Sequence, residues 1–258
     1  MKNLKNKIVL ITGATSGIGL ACARKFAKEK ANLILFARRA TLLKEIAAEI
    51  ESKYKVKVYS AGLDVRKKKD VTNAFAALPA EWRKIDVLVN NAGLARGLDK
   101  IDAGKVKDWE EMIDTNLKGL LYITAETLKL MVPRKCGHII NLGSTAGHEV
   151  YPGGNVYCAT KFGVNALSQA FRVDLLDKNI KVTSVDPGMV ETNFSNIRFS
   201  GDAERAKMVY KGVQPLVADD IADVIVYCAS TPPHVCINQL ILTPTAQASS
   251  NFIVRKED

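Results

Sequence analysis

The sequence has no run of eighteen apolar residues, and beyond its first lysines the N-terminus offers only Ile8 to Ile11 as an apolar segment. A membrane-spanning helix needs about 20 such residues, so neither a span nor an export signal is expected. Cysteine is sparse and odd in number. Cys22, Cys136, Cys158, Cys228 and Cys236 include no CxxC pair, which points to reduced thiols in a cytoplasmic protein. Cys158, beside Tyr157, reads as a small residue on a packed helix, with a reactive thiol as the alternative. His138, His148 and His234 lack metal-ligand spacing, so no metal is expected. Repeats, low-complexity tracts and flexible linkers are absent as well.

What is present suits one α/β domain. The chain has 258 residues, 47% of them hydrophobic, enough to bury a full core. Its formal charge of +10 would favour nucleic acid if the basic residues clustered. They are instead spread along helical segments such as Lys25-Lys28-Lys30 and Lys53-Lys55-Lys57. Solvated faces account for most of them, and steering of anionic small molecules is the functional alternative. No nucleic-acid or membrane partner is expected.

The chemistry centres on Ser144 to Lys161. Tyr157 and Lys161, four residues apart, share one helical face, so the ammonium can sit beneath the phenol. A positive charge about 4 Å away stabilises a phenolate by roughly 1 to 4 kcal/mol, or about one to three pKa units, which suits general acid/base work near neutral pH. The apolar run His138 to Leu142 reads as a buried parallel strand, and Ser144 follows it. Strand end and helix start can then converge on one substrate oxygen. Hydrolysis by Ser144 with His148 is disfavoured because the glycines around Ser144 form no GxSxG elbow.

The run Lys7 to Thr12 is followed by Gly13-Ala14-Thr15-Ser16-Gly17-Ile18-Gly19 and an amphipathic helix to about Glu29. Strand, glycine-rich turn and helix together predict a pyrophosphate site, with spacing GxxxGxG. The second strand, Asn32 to Ala37, ends at Arg38-Arg39, where an NAD-selective fold would place an acidic residue. Guanidinium groups there favour a 2′-phosphate, hence NADP(H), over an exposed arginine pair. A helix from about Thr41 to Lys53 leads to a third strand near Val56 to Leu63. Asp64-Val65 ends it, with Asp64 either accepting from adenine or capping the next helix. Ile85 to Val89 runs into Asn90-Asn91-Ala92-Gly93, where small residues let a cofactor lie against the backbone and the asparagines tie strand ends together. Asn116, in the middle of a helical pattern from Asp108 to Val132, marks a kink where a carbonyl turns to hold water. The catalytic helix reaches about Lys178, and a strand from Ile180 to Val185 stops at Pro187-Gly188. Residues 189 to 212 show little periodicity and read as a lid, in which Arg198 either holds a carboxylate or lies on the surface. Pro215 to Ala229 reads as a helix and Gln239 to Leu242 as a last strand. The tail with Phe252-Ile253-Val254 reads as a subunit contact.

Alternating strands and helices predict a doubly wound, Rossmann-type parallel sheet of about seven strands in a single domain. With Thr12 to Gly19, Asn90 to Gly93, Asn116, Ser144, Tyr157 with Lys161, and Pro187-Gly188 before Thr192, the chain resembles the short-chain dehydrogenase/reductase family over nearly its whole length. The resemblance implies an NADP-dependent enzyme in which Tyr157 is the acid/base and Ser144 orients the substrate oxygen. Lys161 would bind the nicotinamide ribose and lower the tyrosine pKa, and Asn116 would position a relay water. The family's cofactor contacts would fall on Gly13, Thr15, Ser16, Gly17, Ile18, Gly19, Asn91, Ala92, Gly93, Pro187, Gly188, Val190 and Thr192. A closer likeness lies in Leu78-Pro79-Ala80-Glu81-Trp82, Gly143-Ser144-Thr145-Ala146-Gly147, Gly153-Gly154-Asn155-Val156-Tyr157 and Asn193 to Phe199. These are similar to the 3-hydroxy acid dehydrogenase branch, which acts on serine, allo-threonine and related acids, and they imply a homotetramer. A broad carbonyl reductase and a non-catalytic NADP-sensing protein are the alternatives.

Overall fold

Short apolar runs become strands: β1 (Ile8–Thr12), β2 (Asn32–Ala37), β3 (Val58–Gly62), β4 (Ile85–Asn90), β5 (Gly137–Leu142), β6 (Ile180–Pro187), β7 (Val190–Glu191), β8 (Leu216–Val217) and β9 (Gln239–Leu242). The helices between them are α1 (Gly17–Lys28), α2 (Ala40–Tyr54), α3 (Lys68–Ala76), α4 (Val106–Ile113), α5 (Leu120–Met131), α6 (Asn155–Asp174), α7 (Phe194–Arg198), α8 (Ala203–Met208) and α9 (Ala218–Ala229). This computed structural model describes residues 3–256. The main sheet has seven strands in the order β3-β2-β1-β4-β5-β6-β9, and β7 pairs with β8 in a small second sheet. Every pairing in both sheets is parallel.

The period-two alternation of side chains explains why β1, β2 and β4 are largely apolar: each face of the sheet is covered by helices there. Val9 and Ile11 of β1 join a cluster with Phe26 of α1, Leu43 of α2 and Ile225 of α9. Their neighbours Ile8 and Leu10 join the opposite cluster, with Phe75 of α3 and Ile123 of α5. Full burial of one such side chain stabilises the fold by about 1.5 to 3 kcal/mol, so a polar residue at either parity would be costly. The result is a single doubly wound α/β domain. Among the described residues, no helix is long and apolar enough to cross a membrane.

Three stretches differ from the expectation drawn from sequence, the shortest being Leu216–Val217, expected inside a helix from Pro215 but forming β8 ahead of α9. The helix expected from Asp108 to Val132 is divided, with α4 and α5 joined by a π-helical segment, Asp114–Gly119, that contains Asn116. A π segment inserts one residue into the turn and breaks the regular ladder, which fits a side chain that prefers local bonding. Residues 189 to 212 are no bare loop: they hold β7, α7 and α8. Periodicity failed there because a helix of five or six residues shows less than two turns of pattern.

Candidate active site

The sheet reverses its winding between β1 and β4, and the loops that leave their carboxyl ends part on opposite sides. The Thr12 hydroxyl accepts from the backbone N–H groups of Asn91 and Ala92 at 3.1 and 3.0 Å, and Asn91 Nδ2 donates to the Thr12 carbonyl at 2.8 Å. These bonds pin the two strand ends together beneath a cavity of about 960 Å³. Gly13 has φ +68°, and a Cβ there would lie 2.9 Å from Asn91 Nδ2 and 3.1 Å from the Ala92 backbone, so only glycine fits. Gly13, Thr15, Ser16, Gly17 and Ile18 line the cavity, whereas Gly19 lies behind it. A Cβ on Gly19 would come within 2.4 Å of the Gly13 carbonyl oxygen, so its role is packing of helix on loop. Ser16 precedes α1 without a side-chain cap bond, leaving the first N–H groups of the helix available to an anion. This cradle fits a dinucleotide pyrophosphate.

Arg38 and Arg39 at the end of β2 line the same cavity. Arg39 reaches back over the glycine-rich loop and donates to Thr15 Oγ1 at 2.8 Å and Ser16 Oγ at 3.2 Å. A guanidinium and two hydroxyls thus meet at one spot, a donor set suited to phosphate. Asp64 and Val65 also face the cavity, but the Asp64 carboxylate is already taken. It accepts from Arg66 Nη2 at 2.6 Å and from Nε at 3.0 Å, and the Arg66 backbone N–H closes a turn on Oδ1. The side chain of Asp64 therefore does not cap α3, and both its oxygens already accept from Arg66. The hydrogen bonds and charge of Arg66 hold the carboxyl below its usual range, although burial alone would raise it.

Asn91, Ala92 and Gly93 line the opposite wall, with Ser144, Tyr157 and Lys161 further along. Ser144 leaves β5 in extended backbone and its hydroxyl accepts from the Ala146 N–H at 3.1 Å, which fixes its direction. His148 is bonded to Asp186 at 2.7 Å, not to Ser144. Tyr157 and Lys161 lie on α6, as expected, yet the ammonium is not beneath the phenol. Lys161 Nζ donates to the Leu142 carbonyl at 2.8 Å and sits 5.9 Å from the centre of the tyrosine ring. Burial dominates both groups. It pushes the Tyr157 phenol up, with the Ser144 hydrogen bond and the charge of Arg198 acting in the opposite direction. It pushes Lys161 down to about 8, offset in part by Asp186. The Leu142 carbonyl thus holds the ammonium to one side of the phenol rather than directly beneath it. Asn116 does not line the cavity. Its side chain exchanges bonds of 2.9 Å with the N–H and the carbonyl of Leu94 and donates to Thr160 Oγ1 at 3.0 Å, locking the β4 loop to α6. Cys158 is fully buried and its thiol is pushed up by burial, an inert packing residue.

Pro187, Gly188, Val190 and Thr192 border the cavity, and Arg198 closes it from α7. Arg198 lies over two aromatic rings, 5.5 Å from the centre of Tyr157 and 5.6 Å from that of Tyr151. Its Nη1 donates to the Tyr151 hydroxyl at 3.1 Å, while Nη2 is buried and, among the described residues, has no hydrogen-bond partner. The C-terminal tail, expected as a subunit contact, is also part of the wall. Gln247 accepts from the Met189 N–H at 2.8 Å, and Ser250 and Ile253 face the cavity. Gln247 and Ser250 escaped the sequence reading, as did Tyr151 and Arg66, and Ile253 was read only as part of a subunit contact. No local pattern marks a bond between positions 58 apart, as Met189 and Gln247 are.

Comparison with known proteins agrees with this geometry. The family model described as short chain dehydrogenase matches residues 7–202. An NADP-dependent 3-hydroxy acid dehydrogenase of Schizosaccharomyces pombe is 43% identical over 258 residues, covering 100% of both chains. A serine 3-dehydrogenase of Agrobacterium fabrum is 44% identical over 249 residues, 96% of this chain and 98% of its own. Among solved structures, the closed form of a serine dehydrogenase complexed with NADP+ superposes with a TM-score of 0.89 at 43% identity, covering 97% of this chain and 100% of that one. With the nucleotide cradle, the Ser-Tyr-Lys set and a match over most of its length, the chain belongs to the short chain dehydrogenase family.

Proposed function

We propose that this chain is an NADP(H)-dependent oxidoreductase that interconverts the hydroxyl and carbonyl forms of small 3-hydroxy acids such as serine, allo-threonine and 3-hydroxypropionate. The names of its relatives support the cofactor and the substrate class. The observation that carries the reading is the unpartnered Nη2 of Arg198 beside Tyr157. A buried donor of fixed charge without an acceptor is costly, and a substrate carboxylate would satisfy it.

Bound NADPH supplies the hydride, and the residues of the chain handle the rest. The desolvated Tyr157 phenol, held neutral, protonates the carbonyl oxygen in the reductive direction. Ser144, its hydroxyl oriented by the Ala146 N–H, donates to the same oxygen and keeps it near the phenol. Lys161, anchored on the Leu142 carbonyl, would bind the ribose hydroxyls, and its cationic form favours loss of the tyrosine proton in the oxidative direction. Asn116 holds the β4 loop against α6, so its assignment as a water-positioning residue rests on the backbone of its π segment rather than on its amide.

Replacing Arg198 by leucine should raise KM for a 3-hydroxy acid roughly 10- to 100-fold, the loss of one hydrogen bond to a charged group worth about 1.5 to 3 kcal/mol. Reduction of uncharged ketones should change far less. Steady-state kinetics on both substrate types decides the matter, and an unchanged KM for the acid would remove the carboxylate assignment. The apolar side chains of Leu98, Pro152 and Ile253 in the same cavity favour a second reading, a broad carbonyl reductase. Wild-type preference for uncharged ketones over acids in the same assay would establish it. Assembly into a homotetramer in the cytoplasm belongs to the same proposal. Exposed Ile113, Leu121, Phe162 and Val173 on α4, α5 and α6 support self-association, which a monomeric mass in sedimentation would contradict.

A further inference from the structure

Arg198 can recognise a carboxylate only if α7 holds it at the cavity, and α7 is too short to hold itself. A helix of five residues has no independent stability, and its last carbonyls lack partners inside the helix. The structure supplies those partners from the loop after β4. Gly97 donates to the Arg198 carbonyl at 2.9 Å and accepts from Arg198 Nε at 2.8 Å, so one residue grips both the backbone and the side chain of the arginine. Gly97 sits at φ +59°, a left-handed position that turns the chain towards α7. Immediately before it, Arg96 Nη1 donates to the Ile197 carbonyl at 2.6 Å, placing a cation at the helix C-terminus where the dipole favours it.

The other end of Arg96 is tied down. Its Nε meets Glu111 Oε2 of α4 at 2.7 Å, and Glu111 Oε1 accepts from Arg66 Nη1 at 3.1 Å. Arg66 in turn is held by Asp64. Charges alternate along the chain Asp64, Arg66, Glu111, Arg96, with side-chain exposures of 15%, 30%, 16% and 22%, so water screens these contacts only in part. A guanidinium carries its donors in a rigid planar fork, and here the fork spans two elements, a carboxylate on α4 and a carbonyl on α7.

We propose that Arg96 is a positioning residue for substrate selection: held by Glu111, it fixes the end of α7 and so presents the free edge of Arg198 to the carboxylate of the substrate. The inference rests on the proposed role of Arg198 and extends it to a residue that touches neither substrate nor cofactor. It assigns the preference for acids over uncharged carbonyl compounds to a clamp between α4 and α7 as well as to the contacting arginine.

The test is a kinetic cycle in the full-length enzyme with a 3-hydroxy acid and an uncharged ketone. Arg96→Leu should raise KM for the acid about tenfold, with kcat for the acid and KM for the ketone changed less than about threefold. In the Arg198→Leu background, adding Arg96→Leu should produce no further rise, because the group it positions is gone. If Arg96→Leu is poorly folded, Glu111→Gln, which keeps the shape and removes the charge, should shift the acid KM in the same direction by a few-fold. An acid KM within twofold of wild type in Arg96→Leu, equal rises for acid and ketone, or an undiminished effect in the Arg198→Leu background would each overturn the inference. If Arg198→Leu alone leaves the acid KM unchanged, the carboxylate reading fails and the inference falls with it; if Arg198→Leu raises it and Arg96→Leu does not, only the inference fails.

Discussion

Turnover of Tyr157→Phe is expected to fall by about 10² to 10⁴-fold at saturating cofactor, the usual contribution of a positioned acid/base, with NADPH affinity kept within a few-fold. The ring is buried and lies 5.8 Å from that of Phe194, so phenylalanine preserves shape and packing and removes only the hydroxyl. The glycine-rich cradle and Arg38-Arg39 are on other elements, at the ends of β1 and β2. Loss of turnover without loss of cofactor binding therefore separates a chemical role from a structural one. Steady-state rates combined with a fluorescence titration of NADPH measure both quantities. Near-normal turnover would mean that another group handles the proton, and the burial that keeps the phenol neutral would then need a different explanation.

Cofactor choice should depend as strongly on two side chains. With Arg38 and Arg39 both changed to alanine, KM for NADP is expected to rise about 10³-fold and that for NAD to change by less than about tenfold. Each guanidinium contact with a phosphate contributes on the order of 1.5 to 3 kcal/mol, and tenfold corresponds to about 1.4 kcal/mol. The geometry sharpens the expectation for Arg39, which already meets Thr15 Oγ1 and Ser16 Oγ beside the cradle. Asp64, the nearby carboxylate on the cavity wall, is already engaged by Arg66 through both its oxygens. Measuring KM for the two cofactors in wild type and in the double variant is sufficient. A wild-type preference for NAD, or parallel losses for both cofactors, would refute the assignment.

How far the sequence was legible follows from the range of the forces involved. Strand β2 follows its apolar run Leu33 to Ala37 because a strand buried on both faces needs little but continuous hydrophobicity, and β9, though an exposed edge strand, has the bounds its short apolar run suggested. Arg38 and Arg39 reach the cavity because they stand at the carboxyl end of a parallel strand, a position that sequence order fixes once the fold class is known. Local pairing was less reliable. The four-residue spacing of Tyr157 and Lys161 placed them on one face but could not foresee that the Leu142 carbonyl, nineteen residues away, would take the ammonium. Asp64 had two readings in the sequence, and neither anticipated Arg66 two residues later, since a side-chain fork is chosen by rotamer and surroundings. Asn116 marked an irregularity in its helix, while its partners on Leu94 and Thr160 appear only when β4, the π segment and α6 are packed together.

The order of the residues alone determined the doubly wound class, the glycine-rich nucleotide turn and the identity of the groups that could carry a proton, because each depends on neighbours along the chain. Tertiary structure alone decided which of those groups are desolvated, which are already bonded and which remain unsatisfied. Arg198 shows the difference: in the sequence it is an arginine in a segment of weak pattern, and in the folded chain it is a guanidinium near the rings of both Tyr151 and Tyr157, with one buried nitrogen that has no partner among the described residues. The physical reason is that burial and hydrogen-bond satisfaction are sums over everything that comes near an atom, and most of what comes near arrives from distant parts of the chain.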